Sequence, residues 1–165
     1  MAEATTPGEL TRPPDDRDLV ALARELNRLE ARYVVIGGVA INRLGFIRAT
    51  EDLDLLIARD KENQARVKQA LEILPDKAVR ELGDEDLAVW VVVRVNDEIT
   101  VDLMTEASGI AYSEAEPFIE WEEIAGVRIP FASAALMLRF KQGSREKDIL
   151  DRRFLEQRGG QTPST

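Results

Sequence analysis

The chain has 165 residues, of which 44% are hydrophobic and 32% are charged, and this balance is typical of a globular protein. It contains no cysteine and no histidine, which excludes disulfides, catalysis by thiolate or imidazole, and zinc sites built on those side chains. The net charge of −9 disfavours bulk electrostatic binding to nucleic acid, although residues 132–165 carry seven basic and four acidic side chains.

Both ends of the chain are polar. Residues 1–14 are small, polar and interrupted by proline, and they predict a disordered N-terminal arm, while residues 159–165 predict a flexible tail. No apolar run approaches the roughly 20 residues that cross a bilayer, and the start lacks a secretory pattern. We therefore expect a cytoplasmic protein with no membrane contact and one domain over residues 15–158.

The first half of the domain alternates helices and strands. Leucine and alanine at helical spacing predict a helix from Asp16 to Ala31, with Asp15 as a candidate cap. The apolar run Tyr33–Ile36 predicts a buried strand that ends at a pair of glycines. Further along, the patterns predict a helix over 39–44, a strand over 52–57 and a helix over 61–74.

The second half begins with a hairpin. Its predicted arms are residues 87–95 and 99–104, which are rich in β-branched side chains, with Asn96-Asp97 at the turn. The later elements are predicted as a short strand at 127–129, a helix from Ser133 to Lys141, and a last helix from Ser144 to about Gln157. This order predicts the α+β class, with a mixed twisted sheet flanked by helices.

Three aspartates lie on predicted strands. Asp52 and Asp54 are two residues apart, so their side chains point to the same face of a strand. Asp102 interrupts an apolar strand, and a buried carboxylate needs a partner. Either an arginine such as Arg48 or Arg94 pairs with Asp102, or the three carboxylates lie together and bind divalent cations.

Two glycines, Gly37 and Gly38, separate a predicted strand from a predicted helix. Residues without a Cβ atom let a ligand approach the backbone, and the N–H groups that begin a helix can bind phosphate. Glycine pairs more often simply form turns, and neither a P-loop nor a dinucleotide-binding fingerprint is present. The pair alone therefore leaves both interpretations open.

Taken together, these features resemble the DNA polymerase β-type nucleotidyltransferase superfamily. The shared pattern is Gly37-Gly38, thirteen further residues, Asp52-Leu53-Asp54, and a third aspartate on a later strand. Within that superfamily, residues 36–54 and the C-terminal run that includes Lys141, Arg145, Asp148, Asp151 and Leu155 are similar to the AbiEii/AbiGii-like branch. The resemblance spans residues 33–155 and implies a minimal nucleotidyltransferase core with two C-terminal helices.

The resemblance implies that a nucleoside monophosphate moves from a nucleoside triphosphate to an acceptor hydroxyl, with release of pyrophosphate. Asp52, Asp54 and Asp102 would then be the catalytic carboxylates and the ligands of two Mg²⁺ ions, with Asp102 also the candidate base. The nucleotide would be bound by Gly37, Gly38, Arg48, Thr50, Lys141 and Arg145. For the last two residues, an ordinary solvated helix face is the alternative.

The acceptor and the partners stay open. The acceptor is tRNA or other RNA, a small molecule, or a protein side chain. The branch includes toxins of toxin–antitoxin pairs, so an antitoxin partner or a homo-oligomer is a further expectation. One alternative is a catalytically silent nucleotide- or partner-binding module, which the retention of all three aspartates disfavours. The other is a phosphatase with an aspartate nucleophile, which Leu55 and the preceding glycine pair disfavour.

Overall fold

The computed structural model describes residues 2–5, 11–141 and 146–159. The strands are β1 (Ala2–Thr5), β2 (Tyr33–Ile36), β3 (Asp52–Ile57), β4 (Val92–Asn96), β5 (Thr100–Met104), β6 (Glu106–Ala107), β7 (Ile110–Ala111), β8 (Ile119–Ile124) and β9 (Val127–Ala132). The α-helices are α1 (Asp16–Arg28), α2 (Gly37–Arg43), α3 (Lys61–Leu71), α4 (Asp86–Val89), α5 (Tyr112–Ala115), α6 (Ala134–Phe140) and α7 (Glu146–Gly159). Short 3-10 helices lie at Ala78–Glu81 and Glu116–Phe118.

Seven strands form one mixed sheet in the order β1-β4-β5-β3-β2-β9-β8, and β6 pairs separately with β7. The β3–β5, β2–β9 and β1–β4 pairs are parallel, whereas β2–β3, β4–β5 and β8–β9 are antiparallel. The predicted α+β class with a mixed sheet flanked by helices is therefore confirmed. Two helices, α6 and α7, follow the last strand, as the nucleotidyltransferase resemblance implies.

The central strand β3 separates the core from the polar face of the sheet. Leu53 and Leu55 are buried, while Asp52 and Asp54 are partly exposed on the opposite face, as the period of two requires. Helix α1 covers the core with its buried leucine and alanine stripe. Its first turn is held by a capping box in which Asp15 accepts from the Asp18 N–H and Asp18 accepts from the Asp15 N–H.

Several elements differ from their predicted bounds. Helix α1 ends at Arg28, and the chain turns at Glu30, which has a φ of +57°. The first residues of the predicted hairpin arm form the short helix α4 instead of strand. The sequence analysis missed β8, because four consecutive residues from Glu120 to Glu123 are exposed and show no alternation. Three of these four residues are glutamates, and charged side chains on an edge strand oppose its pairing with other chains.

Part of the predicted N-terminal arm forms a strand. Within the predicted disordered arm, Ala2–Thr5 form β1 and pair in parallel with β4. Nearby, the Arg12 guanidinium donates to both carboxylate oxygens of Asp18 at 2.7 Å, and its backbone N–H donates to the Glu98 carbonyl at 2.9 Å. The free edge of β4 supplies unpaired backbone groups, which a composition-based prediction of disorder does not take into account.

The C-terminal helix α7 packs onto the segment that precedes β3. The Phe154 ring stacks on Phe46 with 5.1 Å between centroids, and Arg158 donates to the Leu44 carbonyl. The residue predicted to cap this helix, Ser144, lies outside the described residues, as does the predicted tail after Gly159. None of the helices in the described ranges is long and apolar enough to cross a membrane.

The hairpin formed by β4 and β5 is anchored at its turn by Asp97, which is almost completely buried. The Asp97 carboxylate accepts hydrogen bonds from the backbone N–H groups of Asp76, Ala78 and Glu98 at 3.0, 2.9 and 2.8 Å. The first two bonds tie the hairpin to the segment that follows α3. Asp97 therefore anchors the hairpin in addition to the pairing of its strands in the sheet.

We predict that Asp97→Ala lowers the free energy of unfolding by about 3 kcal/mol, because it leaves buried backbone N–H groups without an acceptor. Urea denaturation measures the change. The control is Glu98→Ala on the same turn, where the side chain is half exposed and the expected change is about 0.5 kcal/mol. Equal losses in the two variants would contradict the anchoring role of Asp97.

Candidate active site

The three candidate aspartates meet on one face of the sheet. Strands β3 and β5 are parallel neighbours, and their register places Asp54 directly beside Asp102 and Asp52 beside Thr100. One carboxylate oxygen from each of Asp52, Asp54 and Asp102 lies within 4.8 Å of the others. The convergence expected from the sequence is thus present, and it follows from the β3–β5 register.

The cluster also contains a guanidinium. Arg94 is paired with Asp102 across the β4–β5 hairpin, and its Nε and Nη2 donate to the two Asp102 oxygens at 2.9 and 3.0 Å. Its Nη2 also reaches Asp52 Oδ2 at 3.5 Å. The bonds to Asp102 raise the pKa of Arg94 above its ordinary value. Both partners foreseen for Asp102, an arginine and the other two aspartates, are therefore in place.

The glycine pair is explained by the close approach of side chains from the cluster. Gly37 has a φ of +70°, and a Cβ atom there would overlap Asp54 Oδ2 and lie 2.9 Å from its Cγ. At Gly38 a Cβ atom would lie 2.7 Å from the Thr50 methyl carbon and 3.3 Å from an Arg48 nitrogen. The backbone here must lack side chains so that Asp54 and Thr50 can pack against it. A phosphate-binding role for the pair stays a prediction.

The cations predicted to bind nucleotide are paired with carboxylates of α7. Arg48 Nη2 donates to Asp151 Oδ2 at 3.1 Å, and Lys141 Nζ lies 3.2 Å from the same oxygen and 3.3 Å from Asp148 Oδ1. Lys141 is largely buried, so it does not belong to a solvated helix face. Arg145, the remaining cation predicted to bind nucleotide, lies outside the described residues.

The sequence analysis did not identify Asp148 and Asp151 as counter-ions of the site. Both are buried, and Asp151 is fully enclosed. A signal was available, because Asp148, Asp151 and Leu155 recur at helical spacing on one face of α7, and a leucine in that face indicates burial. A buried carboxylate requires a charged or hydrogen-bonding partner, so the pattern predicts that cations meet this face.

A cleft of about 720 Å³ opens over the cluster. Among the described residues that line it, the acidic ones are Glu51, Asp52, Asp54, Asp102, Glu106 and Asp148, and the basic ones are Arg48, Arg94 and Lys141. The excess of carboxylates makes this lining negative, and its donor atoms are oxygens. Such a site suits hard divalent cations, which prefer oxygen ligands.

Solved structures share this fold. One is a candidate nucleotidyltransferase from Thermotoga maritima, with a TM-score of 0.58, 17% identity, and coverage of 91% of this chain and 98% of that one. Another is the lincosamide antibiotic adenylyltransferase LnuA in its lincomycin-bound form, with a TM-score of 0.60, 14% identity, and coverage of 88% and 98%. At these identities the likeness shows the fold. No curated protein sequence matches the chain.

The match to a family of adenylyltransferases identifies the class of protein as a nucleotidyltransferase. A family model described as aminoglycoside-2''-adenylyltransferase matches residues 18–155, which is most of the chain. The chain therefore belongs to the aminoglycoside-2''-adenylyltransferase family. The resemblance to the nucleotidyltransferase superfamily is confirmed, whereas the finer similarity to the AbiEii/AbiGii-like branch has no support in these comparisons.

We predict that Gly37→Ala destabilises the fold by about 1–3 kcal/mol more than Gly45→Ala does, because the new methyl group displaces Asp54. Gly45 is the matched control, since its φ of +109° also strains an alanine but a Cβ atom there meets no atom within 4 Å. Thermal and urea unfolding measure both variants. If the two changes are equal, backbone strain alone explains the glycine at position 37.

We predict that Asp151→Asn lowers the free energy of unfolding by about 3 kcal/mol, because it takes a counter-ion from two cations in a buried setting. The control is Glu156→Gln, on an exposed position of the same helix, with an expected change of about 0.5 kcal/mol or less. Urea denaturation compares the two. A tolerated Asp151→Asn would show that Arg48 and Lys141 are solvated or find other partners.

Proposed function

We propose that this nucleotidyltransferase moves a nucleoside monophosphate from a nucleoside triphosphate to a hydroxyl of a small-molecule acceptor and releases pyrophosphate. The observation that carries the proposal is the convergence of Asp52, Asp54 and Asp102 within 4.8 Å in an open cleft. Since both the family and LnuA are described as adenylyltransferases, ATP is the donor that we expect. Nucleoside triphosphates are cytoplasmic substrates, which fits the location expected from the sequence.

The donor set of the cluster fits Mg²⁺. Its three carboxylates supply oxygen ligands, which this ion prefers. The cleft that they line has more acidic than basic side chains, so the cleft repels a triphosphate unless a cation adds positive charge. We therefore propose Asp52, Asp54 and Asp102 as the metal ligands, for two ions when nucleotide is bound. Bound there, Mg²⁺ would neutralise phosphate charge and favour deprotonation of the acceptor hydroxyl.

The residues of the chain position the reacting groups. In the proposed reaction the acceptor oxygen forms a bond to the α-phosphorus, the bond from that phosphorus to the pyrophosphate oxygen breaks in line, and the hydroxyl proton passes to Asp102. Arg48, Thr50 and Lys141 line the same cleft and are proposed to orient the phosphates, with Gly37 and Gly38 at its floor. Because phosphoryl chemistry depends on placement and charge, fixed positions for these groups are the main requirement.

The charge of the protein favours a small and cationic acceptor. The chain carries a net charge of −9, and Glu51 and Glu106 lie in the cleft lining, so a basic ligand with a free hydroxyl is attracted while RNA is repelled. The description of the family names an aminoglycoside as acceptor, and aminoglycosides are polycations at neutral pH. An RNA acceptor and a toxin role with an antitoxin partner are the competing outcomes of the assay.

One observation favours a second candidate, a catalytically silent nucleotide-binding module. Arg94 donates hydrogen bonds to both oxygens of Asp102, and the sequence analysis gave an arginine partner as the alternative to metal binding by this residue. The pair stays accessible to solvent, however, because about a third of the Arg94 side chain is exposed at the cleft. The same guanidinium also reaches Asp52. Release of pyrophosphate separates the candidates, since a silent module binds nucleotide without cleaving it.

We predict that Asp52→Asn and Asp54→Asn each reduce nucleotide transfer by about a hundredfold or more, because the charge stabilisation provided by a bound metal is worth several kcal/mol. The assay incubates the protein with α-labelled ATP, Mg²⁺ and either aminoglycosides or total RNA. It then measures pyrophosphate and the molecule that carries the label. The control is Asp84→Asn, an exposed acidic residue outside the cleft, which should retain full activity.

Undiminished transfer by both aspartate variants would reject their catalytic role. Label found in RNA would replace the small-molecule acceptor with a nucleic acid and revive the toxin interpretation. Binding of ATP without any pyrophosphate release from the unaltered protein, with every acceptor tested, would instead support the silent module.

A further inference from the structure

The guanidinium of Arg94 lies inside the acidic cluster that the proposed function assigns to metal binding. We propose that Arg94 is an internal counter-ion that competes with the divalent cation for Asp102, so that metal binding requires the guanidinium to leave this carboxylate. The inference rests on the proposed function, because it assumes that the cluster binds a divalent cation. It goes further by assigning to Arg94, on strand β4, control over how tightly the cluster binds a cation.

The geometry shows why Arg94 and a cation compete. Arg94 forms a two-pronged pair with Asp102, in which each carboxylate oxygen accepts one N–H at 2.9–3.0 Å. Its Nη2 lies 3.5 Å from Asp52 Oδ2, so the same guanidinium spans two of the three candidate ligands. A cation that used both carboxylates would be placed next to a permanent positive charge, and the two would repel each other strongly at this range.

Burial explains why the protein needs this counter-ion. The Asp102 side chain is only 8% exposed, and an enclosed carboxylate without a partner is destabilising. Asp54 lies beside it in the β3–β5 register and adds further negative charge. Arg94 therefore stabilises the cluster when no metal is bound, and a divalent cation can replace it because both neutralise the same carboxylates.

The exposure of Arg94 distinguishes it from the other two cations that line the cleft, Arg48 and Lys141, whose side chains are 24% and 11% exposed. Asp151, the partner of Arg48, is completely enclosed, so that pair is part of the packing of α7. Arg94 is 35% exposed and lines the open cleft. A guanidinium displaced from Asp102 therefore has room to stay in the cleft, where a phosphate group would provide its next partner.

The test measures Mn²⁺ binding to the nucleotide-free protein by electron paramagnetic resonance. Arg94→Met removes the charge while keeping a long side chain, and Arg94→Lys keeps the charge without the two-pronged geometry. We expect Arg94→Met to bind Mn²⁺ about tenfold or more tightly than the unaltered protein, with Arg94→Lys in between. The control is Arg80→Met, which removes an equally two-pronged pair with Glu72, neither of which lines the cleft, and which should leave Mn²⁺ affinity unchanged.

Thermal unfolding gives a second readout. Without metal, Arg94→Met should melt at a lower temperature than the unaltered protein, because Asp102 has lost its partner. Mn²⁺ should raise the melting temperature of Arg94→Met by more than it raises that of the unaltered protein. If Arg94→Met does not fold, the comparison of Arg94→Lys with the unaltered protein decides the question by the same measurements.

Equal Mn²⁺ affinity in the unaltered protein and both Arg94 variants would overturn the competition, and it would leave the metal-binding function intact. Weaker binding by the variants would overturn it as well, since Arg94 would then support the ion. If no variant binds Mn²⁺, the inference fails together with the metal assignment, and the labelled-ATP assay shows independently whether nucleotide transfer survives. Loss of Mn²⁺ binding in Asp52→Asn confirms that the measured ion occupies the cluster.

Discussion

The concentration of negative charge between β3 and β5 is the constraint on which the rest of the site depends. Parallel pairing puts Asp54 beside Asp102, and Asp52 lies two residues away on the same face. Like charges at such distances repel, so this arrangement persists only when positive charge is supplied. The sheet order satisfies this requirement directly, because β4 is the other neighbour of β5 and brings Arg94 to Asp102.

The same constraint explains the parts of the chain that surround the cluster. The backbone at Gly37 carries no side chain because Asp54 occupies the space in which a Cβ atom would lie. Helix α7 returns to the cleft and supplies Asp148 and Asp151 to Lys141 and Arg48. The Phe46–Phe154 stack holds the helix in that position. The aspartates, the glycine and the C-terminal helix are therefore one packed unit, in which Arg48, Arg94 and Lys141 each lie against a carboxylate.

Much of this could be predicted from the sequence, because the signals are local. The β3 strand was predicted over its observed range, and a period of two on this strand put Leu53 and Leu55 in the core and the aspartates on the other face. The convergence of Asp102 with this pair, by contrast, depends on which strands are neighbours. The residues alone offered it as one of two alternatives, and the family resemblance favoured it. Strand β1 and the exposed strand β8 were missed, since neither carries an apolar alternation that marks a buried face.

The counter-ions were harder to predict, because a residue's partner depends on the sheet register and on helix docking. Arg94 and Asp102 are eight residues apart and face each other across a hairpin, so a sequence alone can name Arg94 only as one of two arginine candidates. Arg48 and Asp151 are 103 residues apart, and nothing local links them. The family resemblance assigned Arg48 and Lys141 to nucleotide, whereas the structure pairs each of them with a carboxylate.

This pairing bears directly on how a triphosphate could enter the cleft. Among the described residues in the lining, the basic side chains are Arg48, Arg94 and Lys141, and each is already paired with an aspartate. A nucleotide that approaches this lining therefore meets carboxylates whose charge exceeds that of the paired cations. Extra positive charge must arrive with the nucleotide, or a resident cation must exchange its carboxylate for a phosphate. A divalent ion satisfies the first condition, and Arg94, the most exposed of the three, is the residue best placed for the second.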